Sequence, residues 1–144
     1  MPHLNKKFTI IADDFIRAGE VSIQIQSILK SIGFKPDVIR RASVCAYESE
    51  MNVVMHGDDG TFSLDIDEDL IRMEVRDQGD GIADIKLALQ EGYSTARPEH
   101  IAQGFGAGMG LPNIKKNSDR LEIESKKGQG TCLKIYINVH DSNG

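Results

Sequence analysis

Apolar positions along the chain follow two different periods, and the local period predicts where helices and strands lie. Between residues 15 and 32 the apolar residues recur with helical spacing, and Gly33 follows in the position typical of a helix end. A second helix is predicted from Pro36 to His56, where glycine and aspartate residues follow. Apolar residues spread around much of this second helix, so we expect it to be buried on several sides.

Strands are predicted where β-branched residues cluster or where apolar and polar residues alternate. Residues 8–11 form a short run of this kind. Residues 62–66 and 71–75 alternate on either side of an acidic turn, and residues 121–124 and 131–139 lie on either side of a glycine-rich turn. The pattern therefore predicts one early strand and two antiparallel hairpins.

The segment between the two hairpins is less regular. A short helix is predicted over residues 84–90 and a longer one over residues 111–120, whereas residues 92–110 have no clear period. A loop of that length is uncommon in a compact domain unless it is functional, so we predict a lid over a ligand. The order of elements predicts an α/β (α+β) two-layer sandwich, with a mixed, mostly antiparallel sheet and helices on one face.

Composition narrows the class of protein. A length of 144 residues predicts a single domain over residues 1–144. The net charge is -5 with the signs interspersed, so we expect no direct nucleic-acid contact. No apolar run approaches a membrane span and no signal-peptide pattern is present, so we expect a soluble, cytoplasmic protein. Cys45 and Cys132 lie in apolar surroundings without metal-ligand spacing, which predicts two buried thiols.

Three polar residues of the second predicted helix stand out. Glu48, Asn52 and His56 recur every four residues and therefore share one helix face. A buried carboxylate needs a partner, and the oxygens of Glu48 and Asn52 are hard ligands of the kind that Mg²⁺ prefers. The alternative is a polar stripe that other protein groups satisfy. His56 is equally consistent with a ligand contact and with a cation at the helix end.

The sequence Asp77-x-Gly79-x-Gly81 follows the second strand of the first hairpin. A carboxylate at a strand end can accept a hydrogen bond from an exocyclic amine, which selects adenine over guanine, and glycines let a ligand approach the backbone. An ordinary turn is the competing interpretation. A calcium-binding EF-hand loop is disfavoured, because Gly79 stands where that loop needs an oxygen ligand.

Four alternating glycines end the predicted lid, directly before a helix whose first N–H groups could hold phosphate oxygens. The alternative is a glycine-rich linker. Neither a Rossmann fingerprint nor a P-loop fits, because Met109 interrupts the first pattern and the second does not occur in the chain. The lid glycines are Gly104, Gly106, Gly108 and Gly110.

Four motifs occur in a fixed order across residues 48–131: Glu-xxx-Asn-xxx-His-Gly, Asp-x-Gly-x-Gly, Gly-x-Gly-x-Gly-x-Gly-Leu and Gly-x-Gly-Thr. Each motif is weak by itself, but the ordered set resembles the Bergerat-fold (GHKL) ATPases. The short chain resembles in particular the small bacterial anti-sigma factor and switch serine/threonine kinases. The resemblance implies a histidine-kinase-like fold that binds ATP or ADP with Mg²⁺.

The resemblance also implies roles for individual residues. Glu48 would be the catalytic base or activator of the attacking hydroxyl, and Asn52 would bind Mg²⁺. Asp77 would bind the adenine amine with support from Thr131. The full nucleotide-binding set that the resemblance implies is Asn52, His56, Asp77, Gly79, Gly81, Gly104, Gly106, Gly108, Met109, Gly110, Leu111 and Thr131.

By the same resemblance, the protein would phosphorylate a STAS-domain antagonist and thereby control a sigma factor. The resemblance also implies a homodimer. The alternatives are a nucleotide-dependent protein that sequesters its partner and a stand-alone ATP hydrolase. Many anti-sigma kinases have a lid arginine, but residues 103–113 contain no basic residue, and Arg97 and Lys115 are the nearest on either side. Glu50 is an additional carboxylate on the helix, predicted to be structural or partner-facing.

Overall fold

The computed structural model describes residues 3–56, 58–79, 89–90, 110–125 and 128–140. Within these ranges no helix is both long enough and apolar enough to cross a membrane. The described residues form five strands and three helices, in the order β1 (Leu4–Ile10), α1 (Glu20–Ile32), α2 (Pro36–His56), β2 (Gly60–Ile66), β3 (Leu70–Asp77), α3 (Gly110–Asn117), β4 (Arg120–Ser125) and β5 (Thr131–Asn138).

The strands form one antiparallel sheet in the order β1-β2-β3-β5-β4. Both predicted hairpins are confirmed, with Phe62 paired to Val75 in the first and Ile123 paired to Leu133 in the second. Alternate residues of β2, β3 and β5 are buried, so one face of the sheet contributes the core. The predicted sandwich is therefore confirmed, with all described strand pairs antiparallel.

The central helix α2 packs against the sheet and between the other two helices. It contacts β3 and β5 below it and both α1 and α3 beside it. Apolar residues along its length, among them Val38, Ala42 and Val53, are buried in a single core, as the sequence pattern predicted. Cys45 and Cys132 are buried free thiols, also as predicted, and burial raises the pKa of the Cys45 thiol to about 12.

Helix α1 begins five residues later than its predicted start at residue 15, because the preceding residues have other hydrogen-bond partners. The Asp13 N–H donates to the Val54 carbonyl at 2.8 Å. The N–H groups of Gly19, Val21 and Ser22 then donate to the Glu50 carboxylate of α2 at 3.0, 3.3 and 2.9 Å. Glu50 thus caps α1 from another helix.

Two further boundaries differ from the prediction. Helix α3 was predicted to run to residue 120 but ends at Asn117, because the Asp119 N–H donates to the Tyr136 carbonyl and draws the chain into β4. Strand β1 extends back to Leu4, since this edge strand tolerates exposed polar residues on one side. The short helix predicted over residues 84–90 lies outside the described residues except for its last two positions.

Candidate functional site

Helix α2 brings the Glu48 and Asn52 side chains to the first residue of α3. A methyl group added to Gly110 would lie 3.2 Å from Glu48 Oε2 and 3.8 Å from Asn52 Oδ1. Two side-chain oxygens, one charged and one neutral, therefore face the start of α3. A side chain at position 110 would crowd the Glu48 carboxylate, so the glycine keeps the space between the two oxygens open.

The Glu48 carboxylate is half-buried, and its surroundings favour proton uptake. Burial raises the pKa of Glu48, and a hydrogen bond with the Asn113 side chain partly offsets this effect. Asn113 lies in the first turn of α3, so the residue that stabilises the carboxylate belongs to the helix that follows the predicted lid. A carboxylate with a raised pKa is suited to accept a proton during a reaction.

Asp77 ends β3 as predicted, and its carboxylate is held by the backbone around it. Gly79 N–H donates to Asp77 Oδ1 at 2.8 Å, and the Thr131 N–H also donates to the carboxylate. Burial nevertheless raises the pKa of Asp77, and the negative charge of Asp58 adds to the effect. A ligand that donates an N–H to this carboxylate would offset both the loss of hydration on burial and the repulsion from Asp58.

The glycine-rich turn before β5 is shaped by its contact with Asp77. Gly130 has a φ of 79°, and a methyl group there would collide with the Asp77 carbonyl oxygen. Thr131 is paired with Asp77 in the sheet, and its hydroxyl forms a 2.9 Å hydrogen bond with Ser125 Oγ. The Gly-x-Gly-Thr motif therefore supports the end of β3.

The two halves of the site lie at the same end of the sheet. Gly60 is paired with Asp77 across β2 and β3, and a methyl group on Gly60 would lie 3.0 Å from Val53 Cγ1 of α2. Asn52 is the residue before Val53 on α2. The Glu48–Asn52 face and the Asp77 turn are thus joined through the close contact between Val53 and Gly60.

The donor set fits a nucleotide with a hard cation. Asp77 offers a half-buried acceptor at the strand end, while Glu48 and Asn52 offer oxygens at the start of α3. Among the described residues, no cluster of three or more acidic, histidine or cysteine side chains could hold a metal. Asn52 would therefore need phosphate oxygens and water to complete a Mg²⁺ site.

Of the remaining predicted site residues, Leu111 is described, whereas the others lie wholly or partly outside the described residues. Leu111 belongs to α3, but its side chain is buried in the core and only 7% exposed, so it anchors the helix. His56 is the last residue of α2, and its side chain is not among the parts described. The predicted lid over residues 92–110 also falls outside, apart from Gly110, as do Gly81, Gly104, Gly106, Gly108 and Met109.

Sequence reasoning missed two residues of the site, Asn113 and Ser125. Asn113 is an amide in the first turn of an otherwise apolar helix segment, one turn after Gly110, and this position could have marked it. Ser125 gives no local signal. Its role follows from pairing with Thr131 at the end of β4, which only the sheet register shows.

Comparison with known proteins identifies the family of the chain. The family model described as a histidine kinase-like ATPase domain matches residues 12–137. The serine/threonine-protein kinase RsbT of Bacillus subtilis is 26% identical over 110 residues, covering 74% of this chain and 77% of that protein. The anti-sigma F factor of Clostridium beijerinckii is 32% identical over 111 residues, covering 72% of this chain and 74% of that protein. The anti-sigma F factor of Caldanaerobacter subterraneus is 29% identical over 99 residues, covering 69% of this chain and 62% of that protein.

Proposed function

The chain belongs to the histidine kinase-like ATPase domain family, and we propose that it is an ATP-dependent serine/threonine kinase acting on a STAS-domain protein. The observation that carries the proposal is the position of Glu48 Oε2 and Asn52 Oδ1 around Gly110. In this proposal the phosphate chain binds at the start of α3, and the two oxygens face it and an incoming hydroxyl. The similarity to RsbT supports the kinase activity.

In this proposal the residues of the chain position the reactants and move one proton. Bound ATP supplies the γ-phosphoryl group, whose bond to ADP breaks as the bond to the acceptor oxygen forms. Glu48 accepts the hydroxyl proton, and its raised pKa brings the carboxylate closer to the range of an efficient base. Asn113 keeps the carboxylate oriented and limits the rise of its pKa.

Nucleotide selection is assigned to the other half of the site. Asp77 would accept a hydrogen bond from the adenine amine, while the Gly79 and Thr131 N–H groups hold the carboxylate in place. Gly79, Gly81 and the lid glycines would allow close approach of the base and the phosphates. Asn52 would bind Mg²⁺ together with phosphate oxygens. His56 is assigned only to the edge of the nucleotide site.

The proposed partner is a STAS-domain antagonist, and a sigma factor is the proposed target of the resulting switch. Names of the relatives motivate both assignments, since one is called a serine/threonine-protein kinase and others anti-sigma F factors. Association of two copies of this chain remains an additional proposal. None of these partners requires direct contact with nucleic acid.

The test is transfer of label from γ-labelled ATP, with Mg²⁺, to STAS-domain proteins of the same organism. We expect label on a serine or threonine of one STAS protein. Glu48→Ala should abolish transfer with ATP affinity largely retained, whereas Asp77→Asn should weaken ATP binding itself. Normal transfer by Glu48→Ala would show that Glu48 is not the base.

A second candidate function is nucleotide-dependent sequestration of the partner with little phosphotransfer. The specific observation in its favour is that residues 103–113 contain no basic side chain to stabilise the transferring group. A complex that forms with ADP or ATP but yields no labelled protein would support it. Phosphate released to water without any protein acceptor would instead indicate a stand-alone ATP hydrolase.

A further inference from the structure

A groove of about 720 Å³ runs along the outer side of α2. Its floor includes the apolar side chains of Ile39, Val44 and Tyr47. Lys30 of α1 lines it near the start of α2, and Glu48 lines it at the other end. The groove therefore reaches the proposed catalytic base along a surface that the nucleotide-binding residues do not use.

The position of the groove matches the geometry of phosphoryl transfer. In an in-line reaction the acceptor oxygen approaches from the side opposite the leaving group. Asn52, Gly110 and Asp77 are assigned to the nucleotide, and none of them lines the groove. Glu48 and Asn113 line it together, so a hydroxyl at this end of the groove would meet the carboxylate and its orienting amide.

A polar atom in the groove lacks a partner. Ser43 lines the groove, and its Oγ atom is buried without a hydrogen bond in the described part of the protein. A buried hydroxyl without a partner is costly, and native proteins seldom leave one unsatisfied. Rotation of the Ser43 side chain toward the groove would let its hydroxyl bond a peptide backbone lying over α2.

Charge distinguishes the far end of the groove. Lys30 has no ion-pair partner among the described residues, whereas Arg40 beside it is paired with Asp37 at 3.1 Å. Glu48 lies twelve positions after Pro36, which is about 18 Å along the helix axis. An extended peptide covers this distance in roughly five residues. Lys30 is therefore placed to meet an acidic side chain a few residues from the acceptor hydroxyl.

We propose that this groove binds the phosphoacceptor segment of the partner protein, with its serine or threonine at Glu48, apolar side chains on Ile39 and Tyr47, and an acidic residue at Lys30. This inference rests on the proposed kinase function and specifies where its protein substrate binds. It commits to a segment of the acceptor, and not to a second copy of this chain.

The test compares the KM for the STAS protein that is labelled in the transfer assay. Lys30→Glu reverses the exposed charge and should raise that KM about fivefold, an effect that weakens at high salt. Ile39→Arg obstructs the floor and should raise it about tenfold. ATP affinity, measured directly with a fluorescent nucleotide, and kcat at saturating acceptor should stay within about twofold of the original values.

Matched controls change the same residue types outside the groove. Ile16→Arg replaces an isoleucine that is 97% exposed, and Lys115→Glu reverses a charge on the exposed side of α3. Both should leave the KM unchanged. An unaltered KM in Lys30→Glu, which cannot disturb the core, would overturn the proposal even if Ile39→Arg failed to fold.

Failure of the kinase assignment would be distinguishable from failure of the groove. If the unaltered protein transfers no phosphate, the kinase function fails, and the affinity of the STAS protein for the ADP-bound chain is measured by calorimetry instead. Weaker binding by Lys30→Glu but not by Lys115→Glu would uphold the groove. Equal binding by all variants, or no binding at all, would reject it.

Discussion

Replacing Glu50 by glutamine tests how α1 is attached to the rest of the protein. The Glu50 side chain is only 2% exposed and accepts three backbone hydrogen bonds from the start of α1. Oε2 accepts from Gly19 and Val21, and Oε1 accepts from Ser22. Glutamine has the same shape but only one acceptor oxygen, so its NH₂ group must face at least one backbone N–H.

The expected cost follows from the bond that is lost. A hydrogen bond to a charged group contributes about 1.5–3 kcal/mol, and a buried donor left without a partner costs a similar amount. We therefore expect Glu50→Gln to lower the free energy of unfolding by about 2–3 kcal/mol. For a domain of this size that corresponds to a fall of roughly 6–12 °C in melting temperature.

The assay is thermal and urea unfolding of the nucleotide-free protein, followed by circular dichroism. Glu20→Gln is the matched control, because Glu20 lies exposed in the first turn of the same helix, where its charge interacts with the helix dipole by about 0.5 kcal/mol. Hydrogen exchange should also speed up at the Ser22 amide. If Glu50→Gln lowers the free energy of unfolding no more than Glu20→Gln does, the capping role is refuted.

Three further predictions concern the site. Gly130→Ala should destabilise the protein by about 3 kcal/mol and weaken ATP binding, whereas Gly128→Ala, which has a similar φ but open surroundings, should cost only about 1 kcal/mol. Asn113→Leu removes the hydrogen bond that lowers the Glu48 pKa, so the acid limb of the phosphotransfer pH profile should move to higher pH, and the plateau rate should fall because the carboxylate loses its orienting amide. Because burial raises the Glu48 pKa, ionisation of Glu48 opposes folding, and this loss of stability grows as pH rises through that pKa. Glu48→Gln should therefore raise the melting temperature by about 2 °C at pH 8, and this gain should disappear near pH 4, where Glu48 is protonated in both the folded and the unfolded protein. An equal gain at both pH values would contradict the burial effect.

Much of the fold could be predicted because its elements are long and strongly patterned. Helix α2 was predicted from Pro36 to His56, as observed, because apolar residues continue along 21 residues between clear start and stop signals. The first hairpin was predicted from alternation, which fixes which face of each strand is buried, and the second from two apolar segments on either side of a glycine-rich turn. Asp77 was placed at a strand end for the same reason.

The errors came from interactions between distant parts of the chain. The start of α1 depends on Glu50, which lies 31 residues after Gly19, and the end of α3 depends on a hydrogen bond from Asp119 to Tyr136. Helical periodicity continues through both boundaries and carries no information about these contacts. The bond between Asn113 and Glu48 was missed for the same reason, since the two residues approach only when α3 packs on α2.

Glu48 and Glu50 show that structural surroundings, and not residue type, distinguish the proposed catalytic carboxylate from a structural one. They lie two residues apart on α2 and point in different directions, since successive positions on a helix are about 100° apart. Glu50 is almost fully buried and accepts three backbone hydrogen bonds, so it has little capacity for a new partner. Glu48 is half-buried, receives a side-chain hydrogen bond from Asn113, and has a raised pKa. Its charge is therefore under-compensated in the free protein, and a proton from an acceptor hydroxyl would relieve that cost.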